Sequence, residues 1–162
     1  MSQPTHQDFV YMQKAIDEAR KVITAGKTGV VALLVKQGKV IAQGHNRYAE
    51  TGDLTAHGEM AVLRSAASQL NELSVEERKQ ITLYVTLEPC LMCFAAISFV
   101  GLKRVVYSAL AEDANEEEMI ARGLTAETLN PLLTRGSLDL VPGVLREDGR
   151  DILARMGKLH AQ

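Results

Sequence analysis

Cysteine is nearly absent: the chain holds two, Cys90 and Cys93, too few for a disulfide framework, which points to a reducing cytoplasm. No apolar run approaches the length of about eighteen residues that a membrane span needs. The opening "MSQPTHQDF" lacks the charged-then-apolar build of a secretory signal. Positive charge is not in excess either. Eighteen Lys and Arg against twenty Asp and Glu leave a net charge of −2, so there is no broad electrostatic footprint for nucleic acid, and a small uncharged partner is favoured. Repeats, linkers and low-complexity segments are also missing. What remains is an ordinary globular composition, 46% hydrophobic and 23% charged over 162 residues, read as one domain spanning 1–162. Such a chain can bury its core without staples. A metal, if present, is free for chemistry.

Apolar residues at helical spacing (Phe9, Met12, Ile16, Ala19, Ile23) predict a surface helix over 9–23. "VVALLV" (30–35) and "KVIAQ" (39–43), turning around Gly38, predict a strand pair, the first strand covered on both faces. A polar loop then leads to a helix from His57 to about Leu70, and "SVEE" (74–77) has the spacing of a capping box. "ITLYVTL" (81–87) predicts a strand, Pro89 the start of a helix reaching Val100, and "KRVVYSA" (103–109) another strand. Beyond it the acidic 112–135 reads as mostly helical, with "EDANEEE" (112–118) as a solvated face, followed by a short strand at 137–141 and a last helix. This order predicts an α/β sandwich, a sheet with helices on both faces and its later strands parallel.

Within "EPCLMC" (88–93) the two cysteines lie three apart at a helix start, where both sulfurs face one spot and the helix dipole favours thiolate. A dithiol redox pair and two ligands of a metal fit that stretch equally well. A catalytic zinc takes three protein ligands and leaves one position for water, so two cysteines need a third ligand. Of the four histidines, His6 and His160 fall in expected tails and His45 in a turn. His57, in "TAHGEM", stands at a helix entry with Glu59 two positions on. There His57 can hold a metal while Glu59 reaches its water. Combined, H-x-E and P-C-x-x-C form the signature of zinc deaminases.

On "GKVIAQGHNR", "LTAHGEMAVLRSA" and "LYVTLEPCLMCFAAI" the chain resembles the cytidine-deaminase-like superfamily, in the branch of fungal cytosine deaminase, bacterial guanine deaminase and tRNA adenosine deaminase. The likeness runs from about Phe9 to about Met156. It implies a three-layer α/β sandwich around a five-stranded mixed sheet whose last two strands are parallel, commonly as a homodimer. It also implies one Zn²⁺ per chain on His57, Cys90 and Cys93, with Glu59 as proton shuttle. Asn46 corresponds to an asparagine that hydrogen-bonds the substrate ring, and the backbone at Gly58 and Glu88 to positions that hold the groups under attack.

There are departures. The chain enters its first core strand as Gly29-Val30-Val31-Ala32 where many relatives have Pro-Val-Gly, has Gly58 where alanine is common, and lacks an aromatic residue in "ILARMGKLHAQ" to form the lid of cytosine and guanine deaminases. Tyr48 and Phe94, the nearest lid candidates, read as loop and core residues. The expected function is hydrolytic deamination of a small aminoheterocycle, with a free nucleobase of cytosine or guanine type placed first. The charge balance argues against a nucleic-acid partner. Deamination of adenosine in tRNA is the alternative within the class; a non-catalytic zinc-binding module and a dithiol oxidoreductase are the alternatives outside it.

Overall fold

The computed structural model describes the backbone of residues 1–160 and the surroundings of side chains through Lys158. The first helix, α1 (His6–Thr24), starts one turn earlier than apolar spacing indicates, because Thr5 and Asp8 cap it reciprocally. His6 therefore opens a helix and is no tail residue. Its buried stripe, Met12, Ala15, Ile16 and Ala19, seats α1 on the sheet. β1 (Val31–Lys36) and β2 (Lys39–His45) form the expected antiparallel hairpin, with one irregularity in register between Leu34 and Val35. β1 is buried along nearly its whole length and is covered on both sides.

The single turn α2 (Tyr48–Thr51) precedes α3 (Gly58–Ser65), and a break at Ala66 separates α3 from α4 (Ala67–Glu72). The Ser74–Glu77 box caps α5 (Val75–Lys79) in both directions. β3 (Ile81–Leu87), α6 (Leu91–Val100) and β4 (Arg104–Ala109) follow, and Gly101, at φ 96°, ends α6 in a left-handed conformation that glycine adopts without penalty. The sheet order is β2-β1-β3-β4-β5, with β5 spanning Asp139–Val141; β1 pairs antiparallel with β2 and β3, while β3, β4 and β5 run parallel. α1 and α8 (Arg146–His160) pack together on one face, and α3 and α6 pack on the other. This is the predicted three-layer five-stranded sandwich. No helix among the described residues is long and apolar enough to cross a membrane.

One segment differs. The mostly helical reading of 112–135 reduces to a 3₁₀ turn at Ala111–Asp113, a bend, α7 (Ala126–Leu129) and a second 3₁₀ turn. Asn115 and Glu118 cap each other as a helix start would, but Ile120 at φ 69° and Gly123 at φ 76° turn the chain within a few residues. With no apolar stripe to bury, helix-forming composition alone does not hold a helix there.

Candidate active site

Open α/β sheets bind ligands beyond the carboxyl ends of their strands, and the three chemistry-bearing segments of this chain meet there. His57 is the N-cap of α3 and Cys90 the N-cap of α6, both in extended conformation, so α6 begins at Leu91 and Pro89 precedes the cap. Cys93 follows in the first turn of α6. Two glycines let α3 approach the sheet: a Cβ on Gly44 would lie 2.8 Å from the Val62 nitrogen, and one on Gly58 would lie 2.6 Å from the Val30 carbonyl oxygen.

His57 Nδ1 lies 3.6 Å from the Sγ of Cys90 and 3.6 Å from the Sγ of Cys93. Among the described residues these three form the group whose ligand atoms converge, all within 4.8 Å of one another. Zn–S bonds of about 2.3 Å and a Zn–N bond of about 2.0 to 2.1 Å at tetrahedral angles require N···S edges of about 3.6 Å. The donor set therefore fits zinc in both chemistry and spacing, and leaves a fourth position open. Two helix N-termini aim their positive ends at it, which favours the thiolates.

Without metal, the thiols share one negative charge. The Cys93 hydrogen bond holds Cys90 down at about 4 despite its burial, while Cys93, facing that thiolate and buried, is pushed far up. The hydrogen bond to Cys90 raises His57 above its ordinary value against the effect of burial. Glu59 is 3% exposed and takes part in no ion pair among the described residues. Burial pushes it up to about 7, the Cys90 thiolate adding to the effect and His57 opposing it. A carboxyl that exchanges its proton near neutral pH, beside a zinc site, is equipped for general acid and base work.

Asn46 is locked in place: its backbone N–H donates to the Val30 carbonyl (3.3 Å) and its Oδ1 accepts the Val30 N–H (2.9 Å), with no partner for its amide nitrogen among the described residues. That cavity, of about 300 Å³, is lined by Asn46, His57, Glu59, Glu88 and Cys90 together with Val30, Tyr48, Leu87, Asn115, Glu117, Glu118 and Met156. All the residues predicted for the site line it except Gly58 and the buried Cys93.

The acidic run is a partial correction. Glu112, Glu116 and Glu117 are exposed as expected, but the run forms no regular helix, and Glu117 and Glu118 also line the cavity. Tyr48 lines the cavity too, whereas Phe94 is core, as expected. Met119 packs on both cysteines with Met60 and Met92 beside them, a contact between segments that no local pattern announces. His45 ends β2, bonded to Glu50. The His160 side chain and the final residues of "ILARMGKLHAQ" lie outside the described residues, so the lid reading of that stretch rests on Met156, which does reach the cavity.

The family described as the cytidine and deoxycytidylate deaminase zinc-binding region matches residues 5–109. A tRNA-specific adenosine deaminase of Agrobacterium fabrum is 43% identical over 109 residues, 67% of each chain. That of Bacillus subtilis is 34% identical over 142 residues, 88% of this chain and 83% of the relative. A solved structure from work on A-to-I editing by tRNA:A34 deaminases, 34% identical, aligns over 88% of this chain and 98% of its own with a TM-score of 0.70. A guanine deaminase from Nitrosomonas europaea, at 24% identity and a TM-score of 0.74 over 91% of this chain and 82% of its own, shares the fold.

These findings overturn two expectations, a free nucleobase as substrate and the absence of a nucleic-acid partner, since the relatives at 34 to 43% identity are tRNA-specific enzymes. The physical cause is plain: net charge is a sum over the whole surface and cannot exclude one local contact with RNA. With the zinc geometry, the buried glutamate and the family match in agreement, the chain belongs to the cytidine and deoxycytidylate deaminase zinc-binding family and is a hydrolytic zinc deaminase acting on C–N bonds.

Proposed function

We propose that this enzyme deaminates adenosine within tRNA to inosine, at the wobble position of the anticodon. The observation that carries the reading is the 34% identity to tRNA-specific adenosine deaminases across 88% of the chain. The cavity supports it in size: about 300 Å³ is at the small end for ligand sites and takes one nucleoside. An RNA substrate must therefore splay out a single unstacked nucleotide, as base-modifying enzymes require. Glu117 and Glu118, which line the cavity, repel phosphates, so the RNA backbone keeps away from that wall.

His57 Nδ1 and the sulfurs of Cys90 and Cys93 hold the zinc, one per chain. When bound, zinc supplies Lewis acidity, lowering the pKa of water from about 15.7 toward about 7. Glu59 accepts the proton that water gives up and delivers protons to the ring nitrogen and to the amine that leaves as ammonia. Asn46 donates to the purine ring, and the backbone at Gly58 and Glu88 orients the carbon under attack. Addition of water breaks ring aromaticity, so orientation contributes alongside the nucleophile. The enzyme works as a homodimer, as the resemblance implies, and in a reducing cytoplasm, as its two free cysteines suggest; light scattering tests the first point.

The test is inosine formation by zinc-loaded enzyme in a synthetic anticodon stem-loop carrying adenosine at the wobble position, compared with free adenosine, adenine, cytosine and guanine. Inosine in the stem-loop alone is expected. Turnover of a free base with none in RNA would overturn the substrate assignment.

A further inference from the structure

One buried carboxylate lining the cavity has no part in the chemistry above. Glu88 projects from the end of β3 and is 5% exposed. Both of its oxygens are used: Oε2 accepts the Ala111 N–H at 2.8 Å, and Oε1 accepts the Ala126 N–H at 2.7 Å. Its own N–H donates to the Ala109 carbonyl, fixing its root to β4. Ala111 and Ala126 are the two ends of the irregular segment between β4 and α7. Between those ends lie Asn115, Glu117 and Glu118, which line the cavity, and Met119, which covers the two cysteines. One carboxylate thus closes a long loop at both ends, from a point two residues before Cys90.

The loop has little else to hold its shape. It has no regular helix, and Ile120 sits at φ 69°, a conformation that a β-branched residue keeps only when its surroundings over-determine it. Asp113 adds one further tie, accepting from the Leu110 N–H and from Arg146 near the Ala111 end. At the Ala126 end the described residues show no ion pair, only the reciprocal Thr125–Thr128 cap of α7.

We propose that Glu88 is a positioning residue whose side chain clamps the 111–126 segment into place as the wall of the substrate cavity. The chemistry of the clamp is specific to a carboxylate, which accepts on both oxygens, whereas glutamine offers one acceptor and turns a donor toward the second N–H. Losing one tie frees one end of the loop, which costs substrate fit and leaves the zinc ligands, held by α3 and α6, in place. The kinetic part of this assignment rests on the proposed tRNA reaction; the structural part does not.

The experiment compares wild-type enzyme with Glu88→Gln by amide hydrogen exchange, zinc content, and kinetics on the anticodon stem-loop. Exchange at Ala111 or Ala126 is expected to accelerate at least tenfold, with amides of β1 and β3 unchanged and one zinc retained per chain. KM for the stem-loop is expected to rise about tenfold with kcat within about threefold of wild type. Ala126→Pro is the second variant: it deletes the donor at one end of the clamp at the first position of α7, where proline is tolerated, and should reproduce the KM rise should the glutamine variant not fold. Unchanged exchange at both amides would overturn the clamp whatever the substrate. Faster exchange with unchanged KM would reduce Glu88 to a structural residue, and a fall in kcat with loss of zinc would place it in the metal site instead.

Discussion

Two buried carboxylates packed near opposite ends of the parallel strands β3, β4 and β5, Asp8 of α1 and Glu59 of α3, are built to opposite purposes. At the amino end, Asp8 is 1% exposed and fully partnered. Its oxygens accept from the Thr5 N–H (2.7 Å), the Thr5 hydroxyl (2.9 Å), the Tyr84 hydroxyl (2.9 Å) and both terminal nitrogens of Arg104 (2.8 and 2.9 Å). Burial would raise its pKa, but the Arg104 guanidinium and these donors hold it well below the usual carboxylate range. At the carboxyl end, Glu59 is as deeply buried and has no cation of its own among the described residues, so burial wins and pushes it up to about 7. Partners, not depth, decide whether a buried carboxyl stays charged. One end of the sheet stores stability. The other withholds it, and a group left uncompensated is one that can exchange a proton.

The largest expected effect comes from removing the group built to exchange. Glu59→Gln keeps the shape, leaves His57, Cys90 and Cys93 untouched, and should lower kcat by about 10³-fold or more, within the range general acid and base catalysis contributes, with zinc content unchanged by atomic absorption. Stability should move the other way. In the metal-free protein a raised folded pKa means that the Glu59 contribution is intact below its unfolded value, about 4.3, and is lost as pH rises toward about 7. The gain in melting temperature of Glu59→Gln should therefore grow over that window. A variant with near-normal turnover would sink the role given to Glu59.

Asp8→Asn attacks the opposite end. It leaves the Arg104 guanidinium without its bidentate acceptor, a loss of about 3 kcal/mol for a broken buried pair, read by denaturant unfolding, while kcat per folded molecule stays unchanged. The pH dependence is the mirror image. A depressed folded pKa stabilises above the unfolded value of about 3.9 and that stability disappears as pH falls from there through the folded pKa. The cost of Asp8→Asn should be full at pH 7 and fade below pH 4. A cost that is constant with pH would mean Asp8 contributes packing and not charge.

Sequence revealed these two ends unequally. The convergence of His57, Cys90 and Cys93 beside the buried Glu59 was legible because each lies in a short motif at a helix entry, where local spacing fixes geometry. Asp8 was not, because Tyr84 and Arg104 lie 76 and 96 positions away and no periodicity links them. The five strands and their order of direction followed from alternation with helices. The 112–135 segment did not, since Glu, Ala and Met favour helix by composition while its real shape is set by Glu88, Asp113 and Gly123. The same distance effect hid the cavity walls: Tyr48, Glu117, Glu118 and Met156 come from three segments that only the fold assembles. Substrate class was misplaced for a related reason, since total charge averages over surfaces that RNA never touches.

The comparison is sharpened most finely at Gly58, which lies directly between the two residues that the chemistry uses. An added Cβ there would stand 2.6 Å from the Val30 carbonyl oxygen and 3.2 Å from its carbon, both backbone atoms of a chain locked to Asn46. The start of α3 has to yield, and it carries His57 on one side and Glu59 on the other. Small displacements are costly in reacting geometry, so Gly58→Ala should lower kcat by roughly 10 to 100-fold, and the clash with backbone should cost about 1 to 3 kcal/mol in unfolding free energy. Gly157→Ala on α8, where a Cβ meets nothing within 4 Å, is the control, expected to leave kcat alone and to add about 0.5 to 1 kcal/mol of stability. Wild-type kcat in Gly58→Ala would show slack at the carboxyl end of the sheet, and the contrast between a stable end and a finely placed reactive end would then rest on the carboxylates alone.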